Sequence, residues 1–202
     1  MRLKIVQMGE PVLRQRARPL SAEEIRSDVI GRLIADMRET MYDAPGVGLA
    51  APQVGMSLQL AVIEDREDWL KDITPEQLAE RERRPVPFQV LINPRIVESS
   101  SDEVEFFEGC LSLTGFSAVV PRARRVRVDC LDERGEARQI EASGWYARIL
   151  QHEIDHLLGN VYIDRMRSRT FTSLDNFARH WRGKAVTDAL AELRSTDKPA
   201  NE

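Results

Sequence analysis

Two of the three histidines in this 202-residue chain lie four residues apart, in the sequence His152-Glu153-Ile154-Asp155-His156. On a helix this HExxH spacing places both imidazoles on one face, about 5 to 6 Å apart, where they can bind the same divalent ion. Glu153 lies beside them, within reach of a water molecule, and is a candidate general base. The pattern therefore predicts a metal-dependent hydrolytic site.

A catalytic metal site of this kind usually has three protein ligands, so a third ligand must come from elsewhere in the chain. The longer HExxHxxGxxH pattern would supply a histidine, but Tyr162 occupies that position. Asp164 and Asp175 are possible carboxylate ligands, and the aromatic neighbours of His180 favour simple packing for that residue. Cys110 is a further candidate, because no apolar alternation explains its thiol and its thiolate would complete a Cys-His-His set.

The second cysteine has a simpler interpretation. Cys130 continues an alternating apolar row that includes Val126 and Val128. Such a row is typical of a strand with one buried face. We therefore predict that Cys130 is a small buried apolar side chain rather than a ligand.

The segment GVGLAAPQ, residues 46–53, is rich in small residues. It lacks the Lys-Ser/Thr ending of a phosphate-binding P-loop and the GxGxxG order of a dinucleotide site, so it does not predict nucleotide binding. Small residues would let the backbone of a substrate come close, and Gln53 offers an uncharged amide donor to a developing oxyanion.

Helical periodicity predicts the elements that position these residues. An amphipathic helix is expected over residues 21–42, where Ser21 and Glu24 have capping-box spacing. The stripe of that helix is formed by Ile25, Val29, Leu33, Ile34, Met37 and Met41. A second helix over residues 144–158 carries HExxH and ends at Gly159. A third helix is predicted over residues 185–193.

Short apolar runs predict strands at residues 58–63, 89–98, 117–120 and 124–131. A turn at residues 132–135 predicts a hairpin that returns through Ile140, so the sheet should be antiparallel. The charged segment 64–84 contains a helix-start signal and is interpreted as a solvated insertion.

Composition restricts the classes of protein. Hydrophobic residues make up 42% of the chain, charged residues 31%, and the net charge is −4. These values predict one globular domain. The last eight residues, STDKPANE, lack an apolar anchor, so the domain is expected over residues 1–194 with a disordered tail at 195–202. An acidic chain is not expected to have nucleic acid as its main partner, and no apolar run approaches the ~20 residues of a membrane span. No secretory signal is recognised near Met1, so a cytoplasmic location is expected.

Three motifs, GVGLAAPQ, EGCLS and QHEIDH, occur in this order and together resemble the peptide deformylase family. The resemblance extends from residue 11 to residue 165. It implies an α+β fold in which antiparallel β-sheets surround a central helix carrying HExxH, with an N-terminal amphipathic helix and a C-terminal helix. It also implies a metallohydrolase that removes the N-formyl group from the initiator methionine of nascent chains and releases formate.

The resemblance also implies a role for each matching residue. The implied metal ligands are Cys110, His152 and His156, for one divalent ion per chain. Ferrous iron is the expected ion, with zinc, nickel or cobalt as alternatives. The other implied site residues are Glu153 as general base, Gln53 and the Leu111 backbone N–H as oxyanion donors, Gly48 and Val47 as substrate contacts, and Glu108 held by Arg122 behind the ligands.

Two residues are predicted to hold the methionine side chain of the substrate. Trp145 and Ile149 precede His152 by seven and three residues, which places them on the same helix face as the metal ligands. The partners expected from the resemblance are N-formyl-Met peptides and nascent chains, with a transient ribosome contact, no nucleic-acid specificity and no membrane.

One departure concerns the residues after EGCLS. The family commonly has Val/Ile-Pro-Gly there, whereas this chain has Leu113-Thr114-Gly115-Phe116. With Gly144-Trp145 and residues 168–171, this segment is similar to the branch of the family that includes organellar enzymes. Two rival interpretations remain at this stage: a metallopeptidase with a carboxylate as third ligand, and a metal-stabilised binding domain without activity.

Overall fold

The computed structural model describes residues 1–195 of the chain. This part contains two antiparallel sheets and the helices packed on them. The α-helices are α1 (Ala22–Ile25), α2 (Asp28–Asp43), α3 (Glu67–Leu70), α4 (Pro75–Glu80), α5 (Gly144–Leu157), α6 (Leu174–His180) and α7 (Val186–Ser195). The strands are β1 (Gly48–Ala50), β2 (Leu60–Asp65), β3 (Val86–Ser99), β4 (Glu103–Cys110), β5 (Leu113–Ala123), β6 (Arg125–Leu131), β7 (Ala137–Ser143) and β8 (Thr172–Ser173). Short 3-10 helices lie at Pro11–Arg14, Ala51–Val54, Tyr162–Asp164 and Ser168–Thr170.

Within this described part, one sheet has the strand order β1-β2-β3-β6-β7 and the other has the order β4-β5-β8. All of these strand pairs are antiparallel. The hairpin predicted to return through Ile140 is the β6–β7 pair, in which Val128 lies opposite Ile140. The α+β class and the antiparallel arrangement are therefore confirmed.

The five-stranded sheet is covered by a helix on each face. Along β2, Ala61 and Ile63 belong to the apolar cluster that contains Leu150 of α5, whereas Leu60 and Val62 belong to the cluster that contains the buried side chains of α2. Successive residues of a strand point to opposite faces, so a strand buried on both faces needs consecutive apolar residues. The sheet and α2 thereby form a packed support for α5.

The helix α5 also contacts the three-stranded sheet. The Arg148 side chain donates to the backbone carbonyls of Val104 on β4 and Val120 on β5, at 2.5 and 2.9 Å. The helix ends where the sequence predicts, because Gly159 takes a left-handed φ of +83°. A Cβ at this residue would lie 2.9 Å from the Arg14 carbonyl oxygen, so only glycine permits this close approach.

The N-terminal helix predicted over residues 21–42 is wrong in one respect, because it is interrupted. The capping box of Ser21 and Glu24 starts α1 as predicted. Ser27 then starts α2: its hydroxyl donates to the Glu24 carbonyl and accepts from the N–H of Ile30. The restart rotates the apolar face, so Val29 is 65% exposed and Ile30 is buried instead.

The segment 64–84 is not the wholly solvated insertion that the charge pattern predicts. The carboxylate of Asp65 is buried and accepts two bonds from Arg83, at 2.7 and 2.8 Å. The backbone carbonyl of Arg81 accepts from the N–H of Trp145 at the start of α5. A buried, paired carboxylate and this backbone bond anchor the segment to the helix that carries HExxH.

The remaining differences are elements that the sequence did not predict and elements whose ends differ from the prediction. The sequence analysis did not predict β4, and β5 extends well beyond residues 117–120 at both ends. The helix predicted over residues 185–193 corresponds to α7, and α6 precedes it. Of the tail predicted over residues 195–202, Ser195 is the last residue of α7 and the rest lies outside the described residues. None of the helices in residues 1–195 combines the length and the apolar character needed to cross a bilayer.

Candidate metal centre

The end of β4 and one face of α5 bring Cys110, His152 and His156 together. One ligand atom from each residue lies within 4.8 Å of the others, and Cys110 Sγ is 3.3 Å from His156 Nε2. An ion with bonds of about 2.0 to 2.3 Å in tetrahedral geometry keeps its ligand atoms roughly 3.3 to 3.8 Å apart. Burial lowers the pKa of His156 well below its usual value, which favours the neutral imidazole that binds metals. The chemistry of this donor set fits one divalent ion, and the 3.3 Å between Cys110 Sγ and His156 Nε2 is already a ligand-to-ligand distance.

The other candidates for a third ligand have different surroundings. Asp164 is paired with Arg14 at 2.5 Å, and Asp175 lies in the first turn of α6. The His180 ring packs edge-on against Trp181, with 6.3 Å between ring centroids. Over residues 1–195, the thiol at the end of β4 and the two histidines of α5 are the one group of three such residues placed to share an ion.

Glu108 fixes the orientation of His152. Its Oε2 lies 2.9 Å from His152 Nδ1, so Nε2 is the imidazole nitrogen left for the ligand group. Arg122 binds the same carboxylate through two bonds of 2.9 Å, and Arg148 binds it at 2.5 Å. Burial alone would raise the pKa of Glu108, but Arg122 and His152 outweigh that effect and hold the pKa well below its usual range. Glu108 therefore stays ionised and accepts from Nδ1.

A second buried carboxylate extends this network. Arg122 Nη1 lies 2.5 Å from Asp155, and Arg165 binds Asp155 through two bonds of 2.8 Å. Arg122 thereby connects Glu108 on β4 to Asp155 on α5. Each buried charge in this chain of ion pairs has an opposite charge beside it, as burial of ions requires.

Four residues in and beside this network were not predicted from the sequence: Arg148, Asp155, Arg165 and Tyr162. Arg148 and Asp155 lie four residues before and three residues after His152, on the buried side of α5. Charged residues on a buried helix face are almost always paired, and this was the signal available in the sequence. Tyr162, considered there only because it replaces a histidine, is buried and its ring lies nearly parallel to that of His152, with centroids 6.4 Å apart.

Glu153 lies next to the ligands with one carboxylate oxygen, Oε2, buried and without a hydrogen-bond partner among the described residues. Burial raises the pKa of Glu153 to about 7. The neighbouring strand β1 brings Gly48 against this side chain. The carboxylate is thus desolvated and held beside the donor set without being part of it.

Gln53 is buried with its amide fixed at both ends. Its Oε1 accepts from the backbone N–H of Ala50 at 2.8 Å. Its Nε2 lies 3.3 Å from Ser112 Oγ and 3.5 Å from Cys110 Sγ. The amide NH₂ is therefore directed toward the ligand group, where it can donate to an atom bound there.

A cleft of about 440 Å³ opens onto the ligand group. Its lining includes the sequence-predicted residues Val47, Gly48, Gln53, Glu108, Cys110, Leu111, Trp145, Ile149, His152 and Glu153. Arg122, which binds Glu108, and His156 are buried behind this lining. Arg83, from the segment that the sequence analysis treated as solvated, also lines the cleft.

Comparison with known proteins gives the family of the chain. Residues 2–172 match the family model described as polypeptide deformylase. The chain belongs to the polypeptide deformylase family. The match extends past both ends of the resemblance predicted from the motifs, residues 11–165.

Several deformylases are similar to this chain over most of its length. The chloroplastic peptide deformylase 1A of Solanum lycopersicum is 45% identical and the chloroplastic/mitochondrial peptide deformylase 1A of Arabidopsis thaliana is 46% identical, over 85% and 86% of this chain. The chain spans 62% and 64% of the length of these two relatives. Peptide deformylase 3 of Streptomyces avermitilis is 46% identical over 95% of this chain and 83% of its own length.

A solved deformylase structure supports the fold. The Met-Ala-Ser-bound class I type b peptide deformylase of Acinetobacter baumannii aligns with a TM-score of 0.73 at 34% identity, covering 82% of this chain and 99% of its own. The plant deformylases are more similar in sequence than this type b enzyme. Peptide deformylase 3 of Streptomyces avermitilis is as similar as the plant enzymes, so the expected similarity to the branch that includes organellar enzymes stays a prediction.

Proposed function

We propose that this protein is a peptide deformylase that removes the N-formyl group from the initiator methionine of nascent polypeptides and releases formate. The observation that carries the proposal is the set of Cys110, His152 and His156 with the buried carboxylate of Glu153 beside it, at a cleft. The deformylase from Acinetobacter baumannii is described with Met-Ala-Ser bound, a peptide that begins with methionine, as a deformylated product does.

In this proposal Cys110, His152 and His156 hold one divalent ion. When bound, such an ion acts as a Lewis acid that polarises a carbonyl group and lowers the pKa of water. We propose ferrous iron as the ion. Zinc, nickel and cobalt are alternatives, because a thiolate and two imidazoles accept several first-row metals.

The side chains around the ligands supply the proton transfers and the charge stabilisation. Glu153 takes a proton from the attacking water while the oxygen of that water bonds to the formyl carbon. Gln53 Nε2 and the backbone N–H of Leu111 donate to the formyl oxygen as negative charge develops there, and loss of one such donor typically costs about 2.7 to 4 kcal/mol. Glu153 then gives its proton to the leaving amine as the carbon–nitrogen bond breaks.

The cleft walls suit an initiator methionine. Trp145 and Ile149 offer apolar surface to its unbranched thioether side chain, while Gly48 and Val47 lie where the peptide backbone can approach. We further propose that residues 1–194 act as one catalytic domain. The protein would act in the cytoplasm and make a transient contact with the ribosome where nascent chains emerge.

The test is formate release from a formyl-Met peptide by iron-loaded protein prepared without oxygen. We expect one free amino terminus per formate and no release of acetate from the matching acetyl-Met peptide. Cleavage of internal peptide bonds would instead indicate a metallopeptidase. A metal-bound protein that cleaves neither substrate would indicate a binding domain, and either result would overturn the proposal.

A further inference from the structure

The N-terminal segment of residues 6–8 is hydrogen-bonded to both loops that carry the proposed oxyanion donors. The backbone N–H of Val6 donates to the Gln53 carbonyl at 2.9 Å, and that of Met8 donates to the Ser112 carbonyl at 2.7 Å. The two loops are also joined directly, because Gln53 Nε2 donates to Ser112 Oγ at 3.3 Å. The segment therefore bridges the two loops from outside the ligand group.

Between these two backbone bonds, the side chain of Gln7 is bonded to the turn that joins β4 to β5. Its Nε2 donates to the Leu111 carbonyl at 3.0 Å, and its Oε1 accepts from the backbone N–H of Thr114 at 3.3 Å. One amide group thus binds an acceptor and a donor of the same backbone segment, as a neighbouring strand does. Gln7 is an exposed residue, so burial of its side chain does not explain these contacts.

The turn itself is only two residues long. Cys110 at the end of β4 lies opposite Leu113 at the start of β5, so Leu111 and Ser112 form the turn. The peptide plane that carries the Leu111 N–H adjoins the plane whose carbonyl Gln7 binds, and the two planes share one Cα atom. Peptide planes are rigid, so rotation of one plane in so short a turn redirects the next. The direction of the Leu111 N–H therefore depends on the bond from Gln7.

Thr114 makes the second contact of Gln7 possible. The deformylase family commonly has proline at this position after EGCLS, where this chain has threonine. Proline has no backbone N–H, so it could not donate to Gln7 Oε1. The departure from the family pattern is thus linked to a residue that lies 107 positions away in the sequence.

We propose that Gln7 is a positioning residue for deformylation, which holds the turn so that the Leu111 N–H is directed at the formyl oxygen. The inference rests on the proposed deformylase function. An oxyanion donor is effective only within about 2.7 to 3.1 Å of the oxygen on which charge develops, so a small displacement of the turn weakens it. Because this interaction strengthens in the transition state, its loss should lower kcat more than it raises KM.

The test measures hydrolysis of formyl-Met-Ala-Ser by the metal-loaded wild type and by Gln7→Ala and Gln7→Glu. Both substitutions should lower kcat by about 10- to 100-fold, part of the 100- to 1000-fold that loss of one oxyanion donor costs, and KM should change by less than about 2-fold. Gln7→Glu keeps the size of the side chain and its acceptor for Thr114, but it has no donor for the Leu111 carbonyl.

Gln139→Ala is the matched control. It removes another exposed side-chain amide, on β7, whose Nε2 donates to Asp129 at 2.9 Å. This variant should keep the kcat of the wild type. Melting temperatures would verify that each variant is folded, and if Gln7→Ala does not fold, Gln7→Glu decides the result.

Two further measurements separate positioning from a purely structural role. The peptide Met-Ala-Ser has no formyl oxygen to meet the Leu111 N–H, so its inhibition constant should be the same for the wild type and both Gln7 variants. The metal content should stay at one ion per chain, because the substitutions leave Cys110, His152 and His156 in place.

The possible outcomes are distinct. An unchanged kcat in the folded Gln7 variants overturns the positioning role and leaves the proposed function intact. A loss confined to KM, or weaker inhibition by Met-Ala-Ser, would assign Gln7 to peptide binding and overturns the role as well. So does a loss of metal in proportion to the loss of kcat, which would place the effect at the ligands. No formate from the wild type overturns both proposals.

Discussion

The backbone of Gly48 lies against the side chain of Glu153 so closely that a Cβ built at residue 48 would be 2.6 Å from the carboxyl carbon of Glu153. Gly48→Ala should therefore displace Glu153 and lower kcat/KM by roughly 100-fold or more, the scale of a misplaced base, while metal content stays unchanged. Gly31→Ala is the control. Gly31 lies in the first turn of α2 and no heavy atom would lie within 4 Å of the added Cβ, so this variant should keep its activity and gain up to about 0.5 to 1 kcal/mol of stability.

Substitution of Glu153 itself separates metal binding from catalysis. Its carboxylate adjoins the ligand group without belonging to it, so Glu153→Ala should keep both the fold and the metal. Turnover of a formyl-Met peptide should fall by about 100- to 10,000-fold, because the water loses its proton acceptor and the amine loses its donor. Near-normal turnover by the metal-replete variant would rule out Glu153 as the base.

The two cysteines should respond differently to substitution. Cys110→Ala removes one of the three ligand atoms and should lower the bound metal well below one ion per chain. Cys130→Ala affects only a buried thiol on β6 and should leave the metal content at one ion. Metal analysis of both purified variants gives the answer, and full occupancy in Cys110→Ala would contradict the ligand assignment.

Glu108 should matter for stability as well as for activity. Glu108→Gln removes the negative charge that two buried arginines, Arg122 and Arg148, share, and uncompensated buried charges cost about 3 to 5 kcal/mol. Glu105→Gln, on the same strand, breaks the more exposed pair with Arg167 and should cost less than about 1 kcal/mol. Urea unfolding of the two variants measures the difference, and equal losses would refute the role of the buried network.

Ile149 tests the proposed methionine pocket. Its side chain is buried at the cleft wall, and Ile149→Ala would enlarge the space for the first side chain of the substrate. The preference for formyl-Met over formyl-Ala peptides should fall by about 10-fold, the scale of a few apolar contacts. If a folded variant keeps the wild-type preference, the pocket lies elsewhere.

Sequence reasoning succeeded where the information is local. HExxH, the helix that carries it and the glycine that ends it all depend on residues within one or two helical turns, so their spacing predicts them. The restart at Ser27 is also local. It was not predicted because the apolar stripe looks regular across residue 27. The N-cap at Ser27 starts a new helix there, and the buried face of that helix differs from the predicted one.

The non-local part of the site could not be read from spacing. Glu108 and His152 are 44 residues apart, and their contact depends on the pairing of β4 with β5 and on the packing of α5 between the sheets. The strand β4 itself alternates acidic and apolar residues, and its burial follows that alternation only in part. The resemblance to the deformylase family supplied Glu108 and Arg122. Arg148 lies outside the three motifs, and Asp155 occupies an unspecified position of HExxH, so neither was predicted as a site residue.

Glu108 and Asp155 are each paired with arginine side chains, so neither carboxylate needs a metal ion to balance its charge. His152 takes its orientation from Glu108 and its ring lies nearly parallel to that of Tyr162, so the imidazole is oriented by the protein itself. We therefore expect that the proposed ion can be replaced by another without refolding of the surrounding chain. The proposed site should then accept more than one kind of ion, and the ion recovered with the protein should report the supply in its surroundings as much as the preference of its donors.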